Sequence, residues 1–268
     1  MRGRGKDCRP SFAAERLRQK IVRELQRWPQ AVLLYSGGLD SALLLALGRE
    51  ALGEGLMALT LIGPHAAPGE AAAAWRLARR FKVKHLVGGL DPFLLADFRE
   101  NTPQRCYVCK QAILAQARQA AAARGIEAIW DGTNVDDLQE DRPGLKALKE
   151  AGAVSPWLGL GLGKKEIRLL SRELGLPADK PPQSCLATRF PYNTPLSLEA
   201  LARVGRAEAW LKGRDFAHVR LRVVREAAHL ELRPEDWPRF FALGLRRPFL
   251  GFLNSLGFRG LELKVPGS

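Results

Sequence analysis

The run Tyr35-Ser36-Gly37-Gly38-Leu39-Asp40-Ser41 constrains this chain more than any other stretch. A continuous apolar segment, Ala31 to Tyr35, leads into it, and a helical pattern from Ser41 to Leu52 follows. An unbroken apolar run of strand length suits a strand buried on both faces of a parallel sheet. Two adjacent glycines let the backbone turn sharply and approach a ligand closely. In such a turn backbone N–H groups converge at the start of the helix, where the helix dipole adds partial positive charge. Residues Ser36, Gly37, Gly38, Leu39, Asp40 and Ser41 are therefore expected to hold phosphate. Ser36 and Ser41 bring hydroxyl donors, and Asp40 suits a magnesium ion bridging to the phosphates. The spacing is neither GxxxxGK[ST] nor GxGxxG. Gly159, Gly161 and Gly163, ahead of a later helix, also miss the GxGxxG spacing and read as a flexible connection.

Further strands are expected at Leu56 to Ile62, Val83 to Val87 and Ala128 to Trp130. Helices are expected over residues 11–27, Ala71 to Phe81, 107–124 and Lys164 to Leu174. This alternation implies an α/β fold, a doubly wound parallel sheet. Pro181 and Pro182 interrupt it, and beyond Pro195 the order becomes helix, strand, strand, helix, helix, strand. The expected division is a phosphate-loop domain over 1–189 and a smaller α+β domain over 190–268 that binds substrate and mediates oligomerisation. No apolar stretch approaches the roughly 20 residues that span a bilayer. Arg2, Arg4 and Lys6 lead into no apolar segment, so no signal peptide is read and the cytoplasm is the expected compartment. The net charge of +14 favours phosphate-rich partners, either nucleic acid or a nucleotide held by arginines. The basic residues are spread rather than clustered, which also fits solvated helix faces.

Four cysteines, Cys8, Cys106, Cys109 and Cys185, are too few for a disulfide scaffold. Cys106-Tyr107-Val108-Cys109 sits at the start of an expected helix, where positions i and i+3 share a face. Arg105, Lys110 and the helix N-terminus should lower the thiol pKa values. Alone, the pair could be a redox couple, half a zinc site or incidental. Cys185 follows a proline pair in a non-helical segment, and no histidine lies near any of the three in sequence. Three thiolates with an open fourth position suit a 4Fe–4S cluster with one unligated iron, able to bind sulfide, better than a four-ligand zinc site. Cys8, in a charged N-terminal segment, is left out of this set.

In the second domain Phe216 to Val224 reads as a strand, with Val219, Leu221 and Val223 on one face and Arg220 and Arg222 on the other. Two arginines about 7 Å apart on one strand face can grip one phosphate. The alternative is a solvated outer face.

The loop matches the SGGxDS signature of the PP-loop ATP pyrophosphatases. Together with RCYVCK (Arg105 to Lys110), Asp131-Gly132-Thr133-Asn134 with Asp136 and Asp137, Arg142-Pro143-Gly144, Lys165-Glu166-Ile167-Arg168, and Ser184 to Arg189 followed by Phe190-Pro191-Tyr192, it makes the chain resemble the LarE sulfur transferases over about residues 12 to 264. The resemblance implies that ATP is cut between its α and β phosphates. A carboxylate of pyridinium-3,5-biscarboxylic acid mononucleotide is adenylated, and sulfur displaces AMP to leave a thiocarboxylate for the nickel-pincer nucleotide cofactor of lactate racemase. It adds Thr133 and Asn134 to the nucleotide site, places Arg189 at the substrate and Arg220 and Arg222 near its phosphate, and makes Glu208 and Asp236 weaker candidates for metal or polar contacts there. Family members with cysteines matching Cys106, Cys109 and Cys185 bind a 4Fe–4S cluster fed by sulfide or another sulfur donor. Those with only the Cys185 equivalent sacrifice its sulfur. The resemblance also implies a homo-oligomer, trimeric or hexameric, although the tail after the last expected strand is short. Two rival enzyme classes share the loop: tRNA thiolases, which would suit the basic charge but for which no RNA-binding module is visible, and amide-forming ligases of the NAD- or GMP-synthetase type, which need no cysteine triplet. A non-catalytic metal- or nucleic-acid-binding protein is the reading from outside enzymology, and the intact phosphate loop argues against it.

Overall fold

The computed structural model describes residues 12–139, 143–179, 184–225 and 227–265; Cys8, Arg142 and residues 180–183 lie outside them. By internal contacts the chain groups into two compact units. The first comprises the described residues of Met1–Leu61, Glu70–Gly88 and Lys110–Lys180; the second, those of Ile62–Gly69, Gly89–Cys109 and Pro181–Ser268. The linear cut at 189/190 therefore differs from the compact grouping, because two segments of the N-terminal half join the second unit.

The elements run in chain order as α1 (Phe12–Leu25), β1 (Ala31–Leu34), α2 (Leu39–Leu52), β2 (Leu56–Ile62), α3 (Glu70–Arg80), β3 (Lys84–Gly89), α4 (Ala96–Arg99), α5 (Arg105–Ala122), β4 (Ala128–Trp130), α6 (Pro143–Glu150), α7 (Pro156–Gly159) and α8 (Lys164–Glu173). The strands form one sheet in the order β3-β2-β1-β4. β1 pairs in parallel with β2, Ala31 opposite Leu56, and with β4, Ala31 opposite Ala128. The chain leaves β1 to one side and later returns on the other, so the loop after β1 lies at a topological switch point, where α/β sheets bind ligands. The α/β fold and its parallel sheet match the expectation from sequence.

α2 is apolar around most of its circumference, and every residue from Ser41 to Gly48 is buried. It packs against α1 and α8, closing a core of Ile21, Leu25, Leu43, Leu44, Leu47, Ile167 and Leu170. Its other side rests on the sheet: a Cβ at Gly48 would meet Leu56 and Trp130 side-chain atoms at 3.1 Å. This burial anchors the first turn of α2, and with it the glycine loop.

The second unit carries α9 (Leu198–Lys212), β5 (Val219–Val224), β6 (Ala227–Leu232), α10 (Trp237–Ala242), α11 (Arg246–Ser255) and β7 (Gly260–Leu263). This is the expected order of elements. β6 is central, antiparallel to β5 and parallel to β7. α9 packs on β5 and α11 on β7, around Phe216, Leu221, Leu230, Phe240 and Phe249. Phe98, Leu186 and Ala187 are buried in the same core, which explains why segments 89–109 and 184–189 group here. The Leu186 N–H donates to the His65 carbonyl at 2.9 Å, and the Leu196 N–H to the Arg99 carbonyl at 2.7 Å.

Candidate functional site

The glycine loop is built as its residues require. Gly37 has φ +72°, a left-handed conformation, and a Cβ there would stand 3.0 Å from the Ala74 Cβ. Gly38 is the N-cap of α2 and no side chain caps the helix, so its first N–H groups open onto the loop, with Asp40 the acidic residue of the first turn. The Ser36 and Ser41 hydroxyls lie 3.1 Å apart, and the Ser41 hydroxyl also donates to the Gly38 carbonyl. A second loop, from the end of β4, presses on this turn: a Cβ at Gly132 would lie 3.0 Å from the Ser41 backbone nitrogen. Asp131 fixes that loop, accepting from Ser155 and, at 2.6 Å, from the Thr133 hydroxyl.

Asp40 points back from α2 to the start of α8. Its Oδ2 accepts from Lys164 Nζ at 2.6 Å, and its Oδ1 is buried with no hydrogen-bond partner. An orphaned buried carboxylate oxygen at a helix N-terminus that favours phosphate fits the donor chemistry of a magnesium site. Lys164 is itself held by its backbone N–H, which donates to Asp136 Oδ2 at 2.6 Å.

The second unit brings Cys106, Cys109 and Cys185 into one electrostatic neighbourhood. α5 starts at Arg105, so Cys106 and Cys109 occupy its first turn, as expected; Cys106 is exposed and Cys109 half-buried. Cys185 precedes a 3-10 turn, Leu186–Arg189. Burial pushes its thiol up to about 12; the Ala187 N–H bonded to the sulfur works against this, the charges of Cys109 and Cys106 add to it, and Arg105 opposes it. The thiols thus sense one another, and three such donors fit the chemistry of an iron–sulfur cluster. Among the described residues, however, no three His, Cys, Asp or Glu side chains stand at metal-ligand spacing. Arg105 ties the two segments together: it donates to Asn101 at 2.7 Å and stacks 4.4 Å over the Tyr192 ring, while Asn101 Nδ2 donates to the Pro191 carbonyl at 2.7 Å.

Arg189 is buried, and its guanidinium donates to Glu208 at 2.6 Å, Ser184 at 2.7 Å and Thr188 at 2.8 Å, bracketing Cys185. Glu208 also accepts from the Leu221 N–H at 3.1 Å. Along β5, Arg220 and Arg222 alternate with the buried Val219 and Leu221. Arg222 donates to Glu231 on β6 at 2.5 Å, and the Arg220 guanidinium has no hydrogen-bond or ion-pair partner among the described residues. Burial, Arg189 and Arg222 together lower the Arg220 pKa. His218, two residues earlier on the chain, is lowered by burial and by Arg220, Arg233 and Arg189. Around Arg220 the carboxylates of Glu231 and Glu208 pull the other way, and both are already bonded to other arginines, Arg222 and Arg189.

No protein-family profile matches the chain. It is 38% identical over 254 residues to an uncharacterised protein of Synechocystis, covering 94% of this chain and 93% of that one. It is 30% identical over 214 residues to an uncharacterised protein of Methanocaldococcus jannaschii, covering 80% and 82%. It is 32% identical over 249 residues to the pyridinium-3,5-bisthiocarboxylic acid mononucleotide synthase of Lactiplantibacillus plantarum, covering 92% and 90%. This chain belongs to the LarE family. A solved NMN synthetase from Francisella tularensis superposes with a TM-score of 0.53 at 20% identity, over 65% of this chain and 76% of that one, and shares the fold.

Within this LarE-family chain the expected residues fall into two sets. Ser36 to Ser41, Thr133 and Asn134 gather in the first unit. Thr133 and Asn134 are buried, with their side chains bonded to Asp131 and Asp137, so their visible role is to shape the loop beside α2. Cys106, Cys109, Cys185, Arg189, Glu208, Arg220, Arg222 and Asp236 belong to the second unit. Asp236 is buried and accepts from Arg233 at 3.0 Å. Sequence reasoning passes over Lys164, Gly132 as a packing contact, and His218. A lysine opening a helix just after a glycine run is the available signal for Lys164.

Proposed function

We propose that this chain uses ATP to adenylate a carboxylate of pyridinium-3,5-biscarboxylic acid mononucleotide and converts it to a thiocarboxylate, toward the nickel-pincer nucleotide cofactor. The observation that carries this reading is the uncapped start of α2 beside a left-handed Gly37, in a chain 32% identical over 249 residues to the named synthase. A free carboxylate is a poor electrophile because oxide would have to leave; as an acyl adenylate it releases AMP instead. The N–H groups of the loop and the dipole of α2 would hold the departing pyrophosphate. Asp40 would hold a magnesium ion, which supplies charge neutralisation at the phosphates. Lys164 adds a positive charge fixed beside that carboxylate. Arg220, half-buried and unpaired, would take the substrate phosphate, with Arg222 on the same strand face, while Arg189 and Glu208 keep the Cys185 turn in place. The working form is taken to be a homo-oligomer.

For the sulfur, Cys106, Cys109 and Cys185 would hold a 4Fe–4S cluster, whose open iron supplies a place to carry sulfide. One observation favours a second reading, in which Cys185 gives up its own sulfur and becomes dehydroalanine: no three ligand-type side chains stand at metal-ligand spacing among the described residues. The test is anaerobic reaction of iron- and sulfide-reconstituted protein with ATP, magnesium and the mononucleotide. Substrate-dependent pyrophosphate release that is lost in Asp40→Ala and Ser36→Ala supports adenylation; release at the wild-type rate in both refutes it. Cluster delivery predicts several turnovers and an inactive, iron-free Cys106→Ala variant. Full activity of Cys106→Ala with dehydroalanine at position 185 establishes the sacrificial route instead.

A further inference from the structure

A pocket of about 460 Å³ opens in the second unit beside the end of β5. This volume lies in the roughly 300–1,000 Å³ range of small-molecule sites. Phe190, Pro191, Pro195 and Phe258 contribute to its apolar lining, and among the described residues its charged lining residues are Arg203 and Arg225. Arg203 lies 4.6 Å over the Phe258 ring, and its Nε is buried with no hydrogen-bond partner. Gly257, with φ +82°, leaves room for the guanidinium: a Cβ there would come within 3.2 Å of Arg203 Nη2. Among the described residues neither Arg203 nor Arg225 has an ion-pair partner, and Arg225 itself has φ +57°. A buried, unsatisfied guanidinium nitrogen at an apolar cavity is costly unless a ligand completes it.

We infer that this pocket binds a small aromatic anion, an aryl phosphate or aryl carboxylate, with its ring against Phe190, the prolines and Phe258 and its anionic group on Arg203 and Arg225. Guanidinium forks match both oxyanions bidentately, and apolar walls with a few convergent polar groups are the usual make-up of such sites. No residue assigned to the glycine loop, the cysteine set or the Arg220–Arg222 pair lines it, so the site is separate from the proposed chemistry.

Ligand-observed NMR titration of the full chain with phenyl phosphate, benzoate and uncharged benzyl alcohol tests this. Both anions should bind at least about tenfold more tightly than the alcohol, as expected for one charged hydrogen bond. Arg203→Met and Arg225→Gln should each lose about that factor. Ala200→Phe, which fills the cavity without changing charge, should abolish binding of all three, and Arg220→Ala should leave it unchanged. Arg225 is exposed, so Arg225→Gln carries the test if Arg203→Met fails to fold. Equal affinity for anions and alcohol, or anion binding that survives Arg225→Gln and Ala200→Phe but is lost in Arg220→Ala, overturns the assignment. Neither result bears on ATP-dependent pyrophosphate release, which reads the proposed function independently.

Discussion

Gly37→Ala should damage the glycine loop in two separable ways. The left-handed φ of +72° costs an L-residue about 1–2 kcal/mol. The new methyl would sit 3.0 Å from Ala74 Cβ, 3.3 Å from its Cα and 3.5 Å from its N, and overpacking of that kind costs about 1–3 kcal/mol. Together these give roughly 2–5 kcal/mol of destabilisation. Gly125→Ala is the control: Gly125 also has a positive φ, +64°, but an added Cβ would meet nothing within 4 Å, so it reads the backbone penalty alone. Ala74→Gly removes the closest contact from the other side and by itself costs about 1 kcal/mol as a helix substitution. Combined with Gly37→Ala it should restore part of the loss, a coupling of about 1 kcal/mol or more, as expected for residues in direct contact. Equilibrium urea unfolding of the four variants measures the cycle, with ATP-dependent pyrophosphate release followed in parallel. If Gly37→Ala costs no more than Gly125→Ala, and its effect simply adds to that of Ala74→Gly, the packing of α3 against the loop does not constrain it.

Arg220→Ala should weaken mononucleotide binding at least about tenfold while sparing ATP, and Arg222→Ala should do so less, because Glu231 already engages Arg222; equal, negligible losses in a calorimetric titration would make both a solvated face. Glu208→Gln strips a buried guanidinium of its charged partner and should cost about 3–5 kcal/mol in denaturant unfolding; a loss below about 1 kcal/mol would mean that Arg189 finds other acceptors. Lys164→Met should slow pyrophosphate release about a hundredfold with unfolding little changed, and unaltered kinetics would leave Lys164 as a tether of Asp40 only.

Strands and long helices are readable from sequence because their apolar spacing is local. β2 and β4 fall residue for residue on the expected runs, and the CxxC does open a helix. The short helices α4, α6 and α7 escape such a reading, since four to eight residues offer too little periodicity and their burial is decided by tertiary partners. The site divides in the same way. Ser36 to Ser41 announce a phosphate loop by their own chemistry. The Lys164–Asp40 pair joins residues 124 apart, and the Arg222–Glu231 pair depends on the register of β5 against β6; neither is visible without the fold. Arg189 and Glu208 read as substrate contacts in the sequence, whereas their side chains answer each other first, a pairing that only burial reveals.

The second unit draws on three stretches of chain, and the last contains Cys185 and nearly all of its hydrophobic core. A ribosome that releases the N-terminal part first therefore presents Cys106 and Cys109 to the cell while their third companion is still unmade. Phe98 has no Leu186 or Ala187 to bury it at that stage, and the Asn101 side chain has no Pro191 carbonyl to bond. A cluster held by all three thiols, as proposed, would have to be loaded after Cys185 has been made. By the same logic, a fragment beginning at residue 190 would lack part of its own interior, and the second unit cannot be isolated by a single cut.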